Sequence, residues 1–173
     1  MIRANEGFFV DRMPSPLGMI MLVVDGDGVL RALDFEDHEA RMQQLLQRHY
    51  GAGGLTSKRA PARVTDALAA YFAGDLGAVE DLAVRANGTE FQTRVWSALR
   101  RIPVGMTWSY GQLAAAVGNP KGSRAVGLAN GANPIGIVVP CHRVIGANGT
   151  LTGYGGGIER KRWLLAHEQR WSE

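Results

Sequence analysis

The sequence predicts an α+β fold in two parts. A small sheet-bearing domain occupies residues 1–85, and a helical domain with a helix-turn-helix pair and the chain's only cysteine occupies residues 86–173. Three observations predict it. Short apolar runs with turn residues between them crowd the first third. Helical spacing opened by two capping-box signals dominates the second half. The charge changes sign at the same place: residues 1–85 hold nine Lys/Arg against twelve Asp/Glu, and residues 86–173 hold ten against four.

The strands come first. FFVDRM, GMIMLVVD and GVLRALDF are apolar-rich runs, the last two joined by Asp25-Gly26-Asp27-Gly28, a hairpin signal. It is not a calcium loop, because the other ligand positions are missing. HEARMQQLLQRHY and ARVTDALAAYFAGD then have helical spacing, separated by the loop GAGGLTSKRAP. The boundary falls near Arg85-Ala86-Asn87-Gly88. After it, Thr89 with Gln92 caps a helix over FQTRVWSALRRI, and Ser109 with Gln112 caps SYGQLAAAV, with Gly118 as its stop. Asn119-Pro120 turns the chain into a second helix, KGSRAVGLANG. A last helix covers IERKRWLLAHEQRW.

Several classes are excluded or disfavoured by composition. The start MIRANEGFFVDRM places charges around only three apolar residues, so no secretory signal is expected. The longest apolar run, GMIMLVV, is too short for a bilayer. One cysteine allows neither an internal disulfide nor a multi-thiolate zinc site, which points to a reducing, cytoplasmic compartment. The basic half fits a polyanionic partner, nucleic acid first, and equally a solvated basic surface.

The second helix of the pair is expected to expose Gly122, Ser123, Ala125, Gly127 and Ala129, nearly all small, with the long cation Arg124 among them. Interior glycine costs a helix about 1 kcal/mol against alanine, so something is expected to approach this backbone. Close helix packing is one candidate. A narrow groove, with Arg124 as a wedge in the base stack, is the other.

Cys141 lies in IVVPCHRVI. Pro140 excludes helix before it, and the cations His142 and Arg143 favour the thiolate. In an extended segment Cys141 and His142 would point to opposite sides, so a water relay is expected rather than direct contact. Glu168 is a candidate to orient the imidazole, or else a surface charge. The loop GANGTLTGYGGG sets Tyr154 among glycines and suits a flat ligand or a mobile surface, but it lacks a dinucleotide fingerprint.

With these residues in view, PCHRVIG, preceded by NPKGSRAVGLANGANPI and followed by GYGGGIERKRWLLAHE, closely resembles the O6-alkylguanine-DNA alkyltransferases, or methylated-DNA–protein-cysteine methyltransferases. The match runs from about Thr89 to Glu168, and more loosely over the first 85 residues. The resemblance implies a ribonuclease H-like N-terminal domain in a supporting role and a winged helix-turn-helix C-terminal domain that binds DNA and transfers the alkyl group. It implies a single-turnover methylated-DNA–protein-cysteine S-methyltransferase. The alkyl group would pass from O6-alkylguanine, with O4-alkylthymine a further candidate, to Cys141 after minor-groove binding and nucleotide flipping.

Residue by residue, the resemblance implies that His142 and Glu168 assist through a water and that Arg124 replaces the flipped nucleotide. Asn133 would hold the turn before the active-site segment, and Tyr110 would rotate the nucleotide and bond the base edge. Val144, through its carbonyl, and Tyr154 would line the base pocket. At Gly155 some relatives carry serine, and a backbone N–H would reach O6 instead. Lys121 and Ser123 would contact phosphates. No metal is expected, since the cysteines of the zinc-binding relatives are missing, and no cofactor. The implied partner is double-stranded DNA containing alkylated guanine, met by a monomer, with side-by-side loading left open. A non-catalytic alkyltransferase-like lesion binder is the alternative, against which the presence of Cys141 argues.

Overall fold

Apolar runs long enough to be buried on both faces become the central strands of the first unit. In the computed structural model, which describes residues 7–51 and 55–172, the chain divides into two compact units, Met1–Asn87 and Gly88–Glu173. Residues 1–6 of the start, residues 52–54 of the GAGGLTSKRAP loop and residue 173 lie outside the described residues.

The first unit is built on a four-stranded sheet. Strands β1 (Phe9–Met13), β2 (Ile20–Val24) and β3 (Leu30–Phe35) pair antiparallel, and β4 (Thr56–Ser57) adds to the free edge of β1 in parallel, giving the order β3-β2-β1-β4. Every residue of β2 and β3 is buried. Their hairpin closes as the Asp-Gly signal predicts. The Asp25 carboxylate accepts from the Asp27 and Val29 amides at 2.9 and 3.0 Å and from the Arg31 guanidinium at 2.9 Å. Gly28 supplies the positive φ of 79°. Helix α1 (Glu39–Tyr50) lays Met42, Leu46 and Tyr50 against Val10, Met21, Val23 and Ala32. Helix α2 (Ala62–Phe72) buries Val64, Leu68 and Tyr71. The two-residue β4 falls within the segment expected to be loop; it is too short to carry an alternation signal.

The second unit contains α3 (Glu90–Leu99), β5 (Trp108–Ser109), α4 (Tyr110–Ala116), α5 (Ser123–Gly131), β6 (Val144–Ile145) and α6 (Ile158–Trp171). Both capping boxes form. Thr89 Oγ1 accepts from the Gln92 amide at 3.0 Å while Gln92 Oε1 accepts from the Thr89 amide at 3.0 Å; Ser109 and Gln112 do the same at 3.1 and 2.7 Å. Helix α4 ends in a Schellman motif, with Gly118 N–H bonded to Ala115 O, Asn119 N–H to Ala114 O, and Gly118 at φ 80°. The turn that follows delivers α5. Trp96 on α3 donates its indole N–H to Ala129 O on α5 at 2.9 Å. Strands β5 and β6 pair in parallel, Ser109 opposite Ile145, which sets the start of α4 beside the segment leaving Cys141.

Two expectations for α5 change. Ala129 is buried, and Leu128 is exposed instead, at 73%, because the helix starts at Ser123 and the buried stripe falls on Val126, Ala129 and Asn130. Gly122 precedes the helix, where a Cβ would meet the Asn119 side chain folded over it, so a larger residue here would displace that side chain.

Replacing Thr89 or Ser109 by alanine removes the hydroxyl acceptor of one capping box and leaves the Gln92 or Gln112 amide without its partner. Each variant is expected to lose about 1 kcal/mol in unfolding free energy, measured by urea denaturation.

Candidate active site

The path to Cys141 is not a strand, which corrects the extended reading. Val138 N–H bonds Gly136 O at 2.7 Å, a three-residue turn that puts Ile137 at φ 68°. A buried β-branched residue in that region stores about 1–3 kcal/mol. Three residues later Cys141 N–H bonds Val139 O at 2.8 Å around Pro140 (φ −83°, ψ 65°), an inverse γ-turn. Cys141–Arg143 then form one turn of 3-10 helix. Proline suits this geometry because its φ is already near the required value. Asn133 fastens the approach: its Nδ2 donates to Val139 O at 2.9 Å and its Oδ1 accepts from the Ile135 amide at 3.0 Å.

Cys141 is half-buried, and His142 is fully enclosed. His142 Nε2 lies 2.8 Å from Glu168 Oε2 on α6. The same carboxylate accepts from Arg143 Nε at 2.7 Å and Arg143 Nη2 at 3.0 Å, while Arg143 Nη1 donates to Ile102 O at 2.7 Å. Glu168 is therefore a buried structural carboxylate, not a surface charge. Burial alone would push its pKa up. The charge and hydrogen bond of His142, then those of Arg143, outweigh burial and hold the group well below the usual carboxylate range. With Glu168 ionised, His142 Nε2 must carry the proton and donate it. Nδ1, buried and without a hydrogen-bond partner among the described residues, is left as the acceptor. The guanidinium of Arg143 thus faces the carboxylate first, so its influence on the thiol is smaller than sequence adjacency suggests.

Lys161 was not visible as a site residue in the sequence. It is fully buried, one helical face from Glu168 on α6, and its Nζ donates to Val144 O and Thr152 O, both at 2.7 Å. No carboxylate among the described residues pairs with it. Burial pushes its pKa down, and the charge of a Cys141 thiolate opposes that shift. The only signal was its spacing of seven from Glu168, two helical turns, and spacing of that kind occurs on every helix.

The remaining predicted residues divide. Tyr110 opens α4, with its hydroxyl 3.4 Å from Thr152 O, so α4 and the glycine-rich loop meet over the Lys161 carbonyl contacts. Val144 is buried in β6. Tyr154 is half-buried, and Gly155 beside it is exposed. Lys121, Ser123 and Arg124 are all exposed around the start of α5, away from the His142–Glu168 pair in hydrogen bonding; no ion pair engages Arg124 among the described residues. Leu128 follows Arg124 by four residues on the same exposed face. Among the described residues no cluster of His, Cys, Asp and Glu is arranged to hold a metal ion, and no helix is long and apolar enough to cross a membrane.

The two units match known domains separately. Residues 11–86 match the 6-O-methylguanine DNA methyltransferase ribonuclease-like domain, and residues 90–170 match the DNA binding domain of the same family. The methylated-DNA–protein-cysteine methyltransferase of Salmonella typhimurium is 53% identical over 160 residues, 91% of this chain and 94% of that protein. The chain belongs to the 6-O-methylguanine DNA methyltransferase family. Among solved structures, the O6-methylguanine methyltransferase of Mycobacterium tuberculosis is similar at 43% identity and a TM-score of 0.80, covering 96% of this chain and 95% of that one. A structure from the same organism in complex with DNA is 44% identical with a TM-score of 0.80, covering 94% and 93%. The activity that goes with membership is methyl transfer from O6-methylguanine in DNA to a protein cysteine, and this chain has one cysteine.

Because Glu168 is depressed in the folded state, its contribution is complete above the ordinary glutamate pKa of about 4.3 and is lost as pH falls below that value. Glu168→Gln is expected to lose about 3 kcal/mol at neutral pH, with the gap to the parent narrowing at pH 3, in denaturant titrations at both pH values.

Proposed function

We propose that this chain repairs duplex DNA by direct reversal, moving an alkyl group from O6 of guanine to Cys141 Sγ once per molecule. The observation that carries the reading is the buried His142–Glu168 pair beside the only cysteine, in a member of this family. The thiol proton passes through one water to His142 Nδ1, and Glu168 stabilises the resulting imidazolium. Arg143 pairs with Glu168, whereas buried Lys161 contacts only carbonyl oxygens, so a thiolate at Cys141 is the charge that balances the lysine. The thiolate then attacks the alkyl carbon. The carbon–O6 bond breaks, its electron pair leaves with the purine, and Tyr110 supplies the proton that returns neutral guanine. The product is a thioether, and no group nearby cleaves it.

An alkyl carbon inside the duplex is out of reach of a half-buried thiol, so the nucleotide must leave the stack at a cost of a few kcal/mol. Arg124, exposed on α5 with no ion pair among the described residues, fills the gap, while Lys121 and Ser123 hold phosphates in the minor-groove approach. The structure from Mycobacterium tuberculosis in complex with DNA supports DNA as the partner. Val144 and Tyr154 line the base pocket, the Gly155 amide reaches O6, and Asn133 keeps the active-site turn in place. The first unit supports the second, and the protein works in the cytoplasm as a monomer.

Incubation with duplex DNA carrying O6-methylguanine is expected to leave one stable methyl group on Cys141 by mass spectrometry; repeated turnover or an unmodified Cys141 contradicts the proposal. Arg124→Ala is expected to slow transfer from duplex by about tenfold, equivalent to 1.4 kcal/mol of lost gap-filling, with little effect on a free alkylated base. Equal slowing of both would remove the wedge role.

A further inference from the structure

We propose that Leu128 makes repair sensitive to the neighbouring sequence: it enters the minor groove beside Arg124 and disfavours a G·C pair about two base steps from the flipped nucleotide. The proposal rests on the reading of α5 as the helix that lies in that groove. Leu128 is 73% exposed, the most exposed large apolar side chain among the described residues. A lone exposed leucine is ordinary on a protein surface; the surroundings of this one are not. Four residues along a helix give about 6 Å of rise and about 40° of rotation, so Leu128 stands on the face of Arg124. Ala125 and Gly131, exposed on either side of it, have almost no side chain, and the leucine projects from a face otherwise pared to its backbone. No Asp or Glu occurs between Glu90 and Glu159, so no carboxylate of this stretch repels a polyanion from that face.

Base pairs succeed one another about every 3.4 Å along the duplex. With Arg124 in the gap left by the flipped nucleotide and α5 running along the groove, Leu128 meets the groove floor about two pairs away. There A·T and T·A pairs present the same acceptors, while G·C adds the guanine 2-amino group, a donor that projects from the floor. A leucine pressed on that donor removes its water and supplies no acceptor, which leaves the group unpaired. On an A·T pair the same side chain covers apolar surface, as the apolar side chains of minor-groove proteins do. Leu128 thus discriminates between flanking sequences and is indifferent to the alkyl group itself.

Single-turnover transfer from O6-methylguanine is measured below saturation in an A·T-rich duplex, with one G·C pair moved through the first few positions on either side of the lesion. The series is repeated with inosine in place of that guanine, which deletes only the 2-amino group. For the parent, G·C at one position is expected to slow transfer about five- to tenfold, the range of one unpaired donor, and inosine to restore the rate. Leu128→Ala is expected to flatten the profile to within about twofold. The leucine is exposed, so its truncation leaves the fold intact, and each ratio is taken within one protein preparation. A flat profile in the parent, a penalty that inosine does not relieve, or a profile unchanged in Leu128→Ala overturns the proposal. Arg124→Ala is run in the same series: transfer as fast as the parent's from every duplex would instead overturn the placement of α5 in the groove.

Discussion

One buried carboxylate organises the second unit. Glu168, 1% exposed, accepts from His142 and twice from Arg143, while Arg143 reaches on to the Ile102 carbonyl past the end of α3. Three segments remote in sequence are thus tied together through the Glu168 carboxylate and the Arg143 guanidinium. Such a knot is a poor source of net stability, since the desolvation of three polar groups offsets much of their attraction. What it provides is direction. With the carboxylate ionised, the imidazole has a single tautomer and orientation, and the 3-10 turn holding Cys141 cannot rotate without breaking it.

The same helix supplies the opposite charge. Lys161, two turns before Glu168, joins Val144 and Thr152 through their carbonyls and so links β6 to the glycine-rich loop. A buried ammonium without a carboxylate is costly. Under the proposed reaction, the charge of a Cys141 thiolate offsets that cost.

Much of the framework was legible in the sequence because it depends on local chemistry. The Asp25–Gly28 hairpin, both capping boxes and the Gly118 stop each involve residues within a few positions of one another, and each forms. The Cys141–His142–Glu168 grouping was legible as a candidate only, since Glu168 is twenty-six residues from His142 and no periodicity connects them. Three features were not legible. The γ-turns at Ile137 and Pro140 depend on backbone hydrogen bonds rather than side-chain pattern. The phase of α5, which buries Ala129 and exposes Leu128, depends on where the helix starts. Lys161 and Asn130 look like an ordinary basic helix residue and an ordinary polar one until packing shows that each is buried against the cysteine segment.

The claim that Glu168 sets the state of His142 is tested most directly by the nitrogen-15 chemical shifts of the His142 ring near neutral pH. The account predicts a protonated Nε2 whose signal reports a strong hydrogen bond to a carboxylate, lost in Glu168→Gln. A bare Nε2 with the proton on Nδ1 alone would contradict it.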